Sequence, residues 1–462
     1  MCIIGAGAAG IALARYLGSK ALDVCLVESG GFEYEAETQL LYEGEISGID
    51  YLPLDSVRLR YFGGTTNHWG GQSVSLDALD FEKRYWVENS GWPISFEEFS
   101  RFLPQAQEIC ILGPESFDSA FWLATDGMAE YPLSQSRFDP VFLRFPVSGP
   151  TRFGEVYRND IERSENVICL LHANVTSIIA NERHDHVEAI EFRNLDNSIK
   201  KVRARYVVLA TGAIENCRLL LTSGNRDAGG LVNANDVVGR FFMEHPNYTS
   251  GVVVLADPRA TEYLAKSRLS HQSSALRRDI RLNVTEQRRN EILNHSAFLI
   301  PQQNLHDENN LGILSRIWAK AEKLWAKFEL PDTFALRVRL EHAPYAHSRV
   351  MLSETTDVFG IPRAHVRLQI GKLETRTIEV VNRVFAQELG AAGLGRMKIE
   401  FDKAESDLWA MWVGNITIWV EHGWGQTQEQ ALSIQTVGIM ASTTFMYPAA
   451  LYFQLPGMPI QR

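Results

Sequence analysis

The first twenty-eight residues constrain this chain more than any other stretch. Met1 to Ile4 is a short apolar run, then comes Gly5-Ala6-Gly7-Ala8-Ala9-Gly10. A helical pattern follows with Ala14 and Leu17 on its apolar face, and Val24 to Val27 forms a second apolar run ending at Glu28. Strand, G-x-G-x-x-G, helix, strand, acid is the order of a dinucleotide-binding βαβ unit. Gly5 would make the tight turn, Gly7 would let the backbone approach a pyrophosphate, and Gly10 would allow helix and strand to touch. The helix N-terminus would face the phosphates. Glu28 stands where a carboxylate holds a ribose diol.

Two later segments bear on which dinucleotide. Tyr206 to Ala210 is an apolar strand that runs into Thr211-Gly212-Ala213, with helical spacing from Glu215 to Leu221. A strand-ATG segment after a long insertion is how many FAD proteins return to the nucleotide. Tyr61-Phe62-Gly63-Gly64-Thr65-Thr66-Asn67-His68-Trp69-Gly70-Gly71 is rich in glycine and small hydroxyl residues. Such a loop offers backbone to a flat ring; a plain surface turn would not need the Trp and His.

Composition removes other classes. The chain has 462 residues and a net charge of −11, so it lacks the basic footprint that nucleic acid requires. Hydrophobic residues at 45% and charged residues at 22% suit a globular protein with a large core. The five cysteines, Cys2, Cys25, Cys110, Cys169 and Cys217, form no C-x-x-C, which points to free thiols in a reducing compartment. No run reaches the roughly 18 apolar residues of a membrane span. No histidine cluster has metal-ligand spacing. The chain opens directly into a strand without a signal peptide, and a cytoplasmic location is expected, with a few residues missing before Met1.

With these motifs on the page, the chain resembles the glucose–methanol–choline (GMC) family of FAD-dependent alcohol oxidoreductases, above all bacterial members with a GGTTNHWGG loop. Further matching segments are Trp86 to Ile94, Phe153-Gly154-Glu155, Leu171 to Thr176, Gly212 to Leu221, Met243-Glu244-His245-Pro246, Ser348-Arg349-Val350 and Gly360-Ile361-Pro362-Arg363. The resemblance implies an α/β fold: a Rossmann-like FAD-binding domain with an inserted α+β substrate domain on an antiparallel sheet. It implies that Gly5, Gly7, Gly10 and Glu28 hold the ADP half of FAD. Gly63, Gly64, Thr65 and Asn67 would lie along the pyrophosphate and flavin, Val175 would meet the nucleotide through its backbone, and Ala210 and Gly212 would pass beneath it. His68 aligns with a histidine that carries a covalent flavin bond in some sugar-oxidising relatives; packing against a non-covalent flavin is the preferred reading. The implied reaction takes a hydride from the carbinol carbon of an alcohol, sugar, polyol or sterol to flavin N5. Oxygen, a quinone or a cytochrome would accept the electrons. An NAD-linked dehydrogenase or a flavin monooxygenase would share the nucleotide fold, but the GGTTNHWGG loop and the ATGAIEN segment argue against both.

The expected organisation is discontinuous: 1–80 and 151–245 for FAD, 81–150 as a cap segment, 246–404 as substrate domain, and 405–462 as an aberrant C-terminal remnant. Phe334 to Leu340 and Ile361 to Ile370 read as strands, and Arg376 to Leu389 as a helix over the substrate sheet. Ile313 to Phe328 reads as an amphipathic helix, and Glu262 to Arg281, polar and basic, as a mobile loop.

The tail departs from the family. GMC chains carry a catalytic histidine in a motif of the type H-H-M-G-T-x-R-M and end with a segment of the type NLYVAGSSVFPTSGxANPT. Here Trp419 to Gln426 offers only His422, a weak stand-in, and no closing helix follows. A one-base shift of the inferred codons restores the family motifs. The junctions Trp419-Val420, Trp424-Gly425 and Met440-Ala441 must then give glycine, Met446-Tyr447 valine and Met458-Pro459 alanine. The inference is a frameshift between about Glu405 and Met411. As printed, the chain would be a catalytically inactive homologue that at most binds flavin, with poor stability.

Overall fold

The computed structural model describes residues 1–49, 51–125, 131–224, 229–257, 260–265, 268–271, 274–301 and 333–399, together with the short strands 419–420, 434–436 and 451–453. The expected helix over 313–328 and the residue His422 lie outside the described residues.

The first strand, Cys2–Ile4, pairs in parallel with Val24–Val27 on one side and Val207–Leu209 on the other. Val167–Leu170 extends the sheet beyond Val24–Val27, also in parallel. Ile434–Thr436 and Leu451–Phe453 complete the other edge, giving six strands, with Leu451–Phe453 antiparallel to Val207–Leu209. Every residue of the first strand is buried, as it must be in a parallel sheet covered on both faces. Ile3, Leu26 and Val208 point to one face, where Ile11 and Ala14 of the helix Ala8–Ser19 meet Phe153 and Tyr157 of the helix Phe153–Glu162. Ile4, Val27 and Leu209 point to the other, against Ile214, Cys217 and Leu220 of the helix Ala213–Thr222. Each Ile, Leu, Val or Phe among them contributes about 1.5–3 kcal/mol on full burial.

Two smaller sheets flank this layer. Gly44–Gly48 pairs in parallel with Pro362–Leu368, which pairs antiparallel with Arg349–Thr356. Their Val350, Val366 and Leu368 share the core of the helix Ala213–Thr222. Asn174–Ala180, Val187–Arg193 and Ile199–Val202 form a three-stranded antiparallel sheet.

The second large layer is a seven-stranded, antiparallel sheet. Arg268–His271, Ser274–Leu282, His295–Pro301, Thr333–Leu340, Asn247–Leu255 and Gly395–Lys398 follow one another, and Phe138–Pro146 pairs with Ser274–Leu282 off this path. Leu299, Leu336, Val338 and Val253 on one face pack against Ile378, Val381 and Phe385 of the helix Lys372–Ala391. That helix starts four residues before the expected Arg376 because the Glu374 carboxylate accepts from the backbone N–H of Gly371 at 3.0 Å, closing its first turn. The two-layer α/β plus α+β class matches the expectation.

One expectation is corrected. Residues 262–281, expected as a mobile loop, contain the strands Arg268–His271 and Ser274–Leu282. The second forms a nine-pair ladder with Phe138–Pro146, from Ser274 opposite Pro146 to Leu282 opposite Phe138. Leu276, Ile280 and Leu282 alternate into the core, while Arg277 pairs with Asp279 and Arg281 with Asp77. Counting basic residues hid a period of two. The cysteines are free thiols: Cys2, Cys110 and Cys217 are buried, Cys25 and Cys169 partly so. Among the described residues no helix is long and apolar enough to cross a membrane.

Candidate functional site: a nucleotide cleft

The turn after the first strand is built as its glycines require. Gly5 has φ +99°, and a Cβ there would stand 2.6 Å from the Ala210 carbonyl oxygen. A Cβ at Gly10 would stand 1.8 Å from the Gly5 oxygen, so the helix can cross the turn only without a side chain. Gly7 is different: nothing lies within 4 Å of its Cβ position. Its bare backbone faces a cleft that opens at the N-terminus of Ala8–Ser19.

Three other segments close this cleft. Glu28, at the end of the second strand, is buried; its carboxylate accepts from the N–H of Ala6 at 2.8 Å and of Gly30 at 3.0 Å. Gly64 sits against Gly7, with its Cβ position 3.1 Å from the Gly7 Cα, and Thr65 lines the same wall. Val175 borders the space from the strand Asn174–Ala180, and Ala210 with Gly212 from the turn into Ala213–Thr222. Gly212 caps that helix with φ +81° and open space at its Cβ position.

Gly5, Gly7, Glu28, Gly64, Thr65, Val175, Ala210 and Gly212 therefore border one cleft. Gly10, Gly63, Asn67 and His68 do not line it. Gly10 is inside the helix–strand contact. Gly63 has φ +98° and backs onto the Asn67 side chain. Asn67 staples the loop: its amide nitrogen donates to the Phe62 oxygen at 2.8 Å, and its amide oxygen accepts from the Gly154 N–H at 3.0 Å. His68 is exposed, with Nε2 3.2 Å from the Tyr61 hydroxyl. Trp69 fixes the loop end by donating from Nε1 to the Thr151 oxygen at 2.7 Å.

Sequence reasoning missed a charged floor. Arg58, Arg60, Glu215, Arg218 and Asp357 all line the cleft. The Glu215 carboxylate takes Arg58 at 2.9 Å, Arg218 at 3.2 Å and Arg60 at 3.5 Å. Arg218 also pairs with Asp357 at 2.6 Å. Burial alone would raise Glu215, but the guanidiniums of Arg218, Arg58 and Arg60 outweigh it and hold its carboxyl down at about 2. Arg58 and Arg60 stack on the Tyr42 ring, 4.0 and 4.7 Å from its centroid. The alternation in Val57-Arg58-Leu59-Arg60 and the Glu215/Arg218 spacing on one helical turn were visible signals. Asp357 carried none.

The residues fit FAD. Gly7 and Gly212 present backbone that a Cβ would cover, at the N-terminal ends of two helices. Two buried polar atoms of the lining, Arg60 Nε and Asn174 Oδ1, have no partner, and a bound nucleotide could satisfy both. Among the described residues no cluster of His, Cys, Asp and Glu could hold a metal ion.

Comparison with known proteins gives the following. The GMC oxidoreductase family model matches residues 156–247. The large subunit of fructose dehydrogenase from Gluconobacter japonicus is 38% identical over 63 residues, 13% of this chain and 12% of that protein's length. Pyridoxine 4-oxidase from Mesorbium loti aligns over 88% of this chain and 84% of its own, with 15% identity and a TM-score of 0.49. A formate oxidase from Aspergillus oryzae RIB40 aligns over 88% and 85%, with 13% identity and a TM-score of 0.45. The matched family stretch contains the strand that carries Val175, the Ala210–Gly212 turn and the helix that carries Glu215 and Arg218. The stretch that matches the GMC oxidoreductase family model, residues 156–247, thus contributes Val175, Ala210, Gly212 and Glu215 to the wall of this cleft, in agreement with the resemblance read from the sequence.

Proposed function

We propose that the protein is an FAD-dependent oxidoreductase acting on the CH–OH group of a small alcohol, sugar, polyol or sterol. The observation that carries the reading is the cleft in which Gly7 and Gly212 bare their backbones, with Gly64 against Gly7, beside the buried Glu28 carboxylate. When bound, FAD would supply the two-electron oxidation chemistry. The chain's own part is to bind and orient. Gly5, Gly7 and the N-terminus of Ala8–Ser19 would receive the pyrophosphate, and the Glu28 oxygens would accept from the ribose diol. Val175 would meet the adenosine half with its backbone, and Gly64 and Thr65 would lie along the chain toward the flavin. Gly63, Asn67 and Gly10 would act at one remove, by holding the loop and the turn in shape. His68, exposed beside Tyr61, would pack near the flavin without a covalent bond.

The segment plan 1–80, 81–150, 151–245, 246–404 and 405–462 belongs to the same proposal, with residues 349–368 siding with the nucleotide layer through Val350 and Val366. Oxygen, a quinone or a cytochrome would take the electrons onward. A second reading is carried by the tail: the codon junctions that restore family motifs in another frame make this chain an inactive, frameshifted homologue that binds flavin at most.

One experiment separates these. The purified full chain is examined for flavin absorption before and after acid precipitation, then mixed with alcohols and sugars and an artificial electron acceptor. Yellow protein that releases its flavin on precipitation and reduces the acceptor supports the oxidoreductase. Yellow protein without turnover supports the inactive homologue. Colourless folded protein that takes up no added FAD refutes both.

A further inference from the structure

The seven-stranded sheet has a second face, turned away from the helix Lys372–Ala391, and that face is cationic. Strand register sets two cross-strand rows on it. Asn247, Arg339 and Ser296 lie abreast in one; Thr249, Arg337 and Phe298 lie abreast in the next. Arg277 and Asp279 come from the adjoining strand. The Arg277 guanidinium lies 4.3 Å from the centroid of the Phe298 ring, and that of Arg339 5.5 Å from it. One aromatic ring is thus flanked by two cations.

Asp279 forms a two-point pair with Arg277, at 2.8 and 2.9 Å. Arg337 donates from Nε to the Thr249 hydroxyl at 3.0 Å. Arg339 donates from Nε to the Asn247 amide oxygen at 3.2 Å, yet its NH1 is buried without a partner. Among the described residues no carboxylate pairs with Arg339, although only 6% of the residue is exposed. The buried Ser296 hydroxyl beside it is also without a partner. Burial pushes the Arg339 guanidinium down to about 9, and Arg277 and Arg337 push the same way against Asp279. A guanidinium taken out of water is costly unless an anion replaces its hydration.

We propose that this face is a binding site for the carboxylate or phosphate group of a small polyhydroxy compound, with Arg339 as its buried anchor. Arg337 adds the second cation. The forked guanidinium suits either anion, and Ser296, Thr249 and Asn247 offer hydrogen bonds to hydroxyl groups. Phe298 offers a ring face to carbon-bound hydrogens. Assigning this compound as the substrate, an acidic sugar or polyol in place of a neutral alcohol, rests on the oxidoreductase reading; the anion site stands without it.

The test is calorimetric titration of the full chain with gluconate, glucose 6-phosphate, inorganic phosphate and glucose. Gluconate or glucose 6-phosphate should bind more tightly than inorganic phosphate, and glucose should not bind. Arg339→Met should weaken the acidic ligand by roughly tenfold or more. The same variant should melt no lower than the parent without ligand, because it removes an uncompensated buried charge. If Arg339→Met does not fold, Arg337→Gln at the half-buried edge gives the same reading with a smaller loss. Equal binding of gluconate and glucose, no response to any anion, or unchanged affinity in the variants overturns the site. Inorganic phosphate binding as tightly as the sugar acids overturns the polyhydroxy assignment. Flavin content measured on the same samples keeps the two readings apart. A flavin-free protein that binds gluconate sinks the oxidoreductase and spares the site, whereas a flavin-loaded protein that ignores every anion does the reverse.

Discussion

Two glycines three residues apart should fail in opposite ways. At Gly10 an alanine methyl would fall 1.8 Å from the Gly5 carbonyl oxygen and 3.5 Å from a Leu26 methyl. The nearer atom is backbone of a turn already held by the Gly5 N–H on the Val27 oxygen at 2.7 Å. Relief needs a shift of more than an ångström in the turn or the helix, an overpacking cost of about 1–3 kcal/mol or somewhat more. Alanine's better helix propensity returns about 1 kcal/mol of that. The net expectation for Gly10→Ala is a loss of up to about 2 kcal/mol or somewhat more, seen as a lower melting temperature without any flavin present. At Gly7 the backbone is extended, with φ −80° and ψ −167°, and the methyl meets nothing within 4 Å. Gly7→Ala should leave the flavin-free protein as stable as the parent or slightly more so. Its methyl would occupy the space against which the pyrophosphate is to lie, so FAD affinity should drop by roughly tenfold or more. The assay is thermal unfolding by circular dichroism with and without FAD, together with flavin titration by fluorescence. A Gly10→Ala protein that melts with the parent, or a Gly7→Ala protein that keeps full flavin affinity, would refute the reasoning.

Two carboxylates should give stability opposite pH slopes. Glu215 is held at about 2, below its value in the unfolded chain, so its contribution is present above about 4.5 and is lost as pH falls toward 2. Glu215→Gln leaves Arg58, Arg60 and Arg218 without their shared carboxylate and should cost about 3–5 kcal/mol at neutral pH, measured by urea unfolding. Glu244 behaves in reverse: burial raises it to about 8, against the hydrogen bonds from the Tyr51 hydroxyl and the His245 N–H. The folded state then holds a proton that the unfolded state has released, so stability falls as pH rises from about 4.5 to 8. Glu244→Gln should flatten that part of the profile; a parent with no slope there, or a variant that keeps it, would contradict the assignment.

What could be read from the residues alone follows the range of the interactions. The Gly5, Gly7, Gly10 and Glu28 pattern was legible because a turn and its flanking strands are local, and Gly10 answers a steric demand from Gly5, five residues before it. The strand ending at Ala210 was legible for the same reason. The charged floor was not, because Arg58 and Glu215 are 157 residues apart in sequence and meet only when the sheet has formed. The ladder between Phe138–Pro146 and Ser274–Leu282 was hidden by its arginines, which look solvated until Asp77 and Asp279 are placed beside them. Asn67 was read as lying along the flavin, and its side chain holds the loop to Phe62 and Gly154 outside the cleft lining, as His68 beside Tyr61 also lies outside it.

The central position of Cys2–Ile4 in its sheet has a consequence for how the protein is made. One neighbour, Val24–Val27, leaves the ribosome almost at once; the other, Val207–Leu209, is roughly 180 residues later. At the usual pace of translation that interval is about ten to forty seconds. Throughout it, Ile3 and Ile4 have one open side, an unpaired row of backbone groups and no helix Ala213–Thr222 to cover them. The strand that begins the nucleotide cleft is therefore made long before the partner that completes its pairing, and it stays half-paired in the nascent chain until synthesis has passed Thr222.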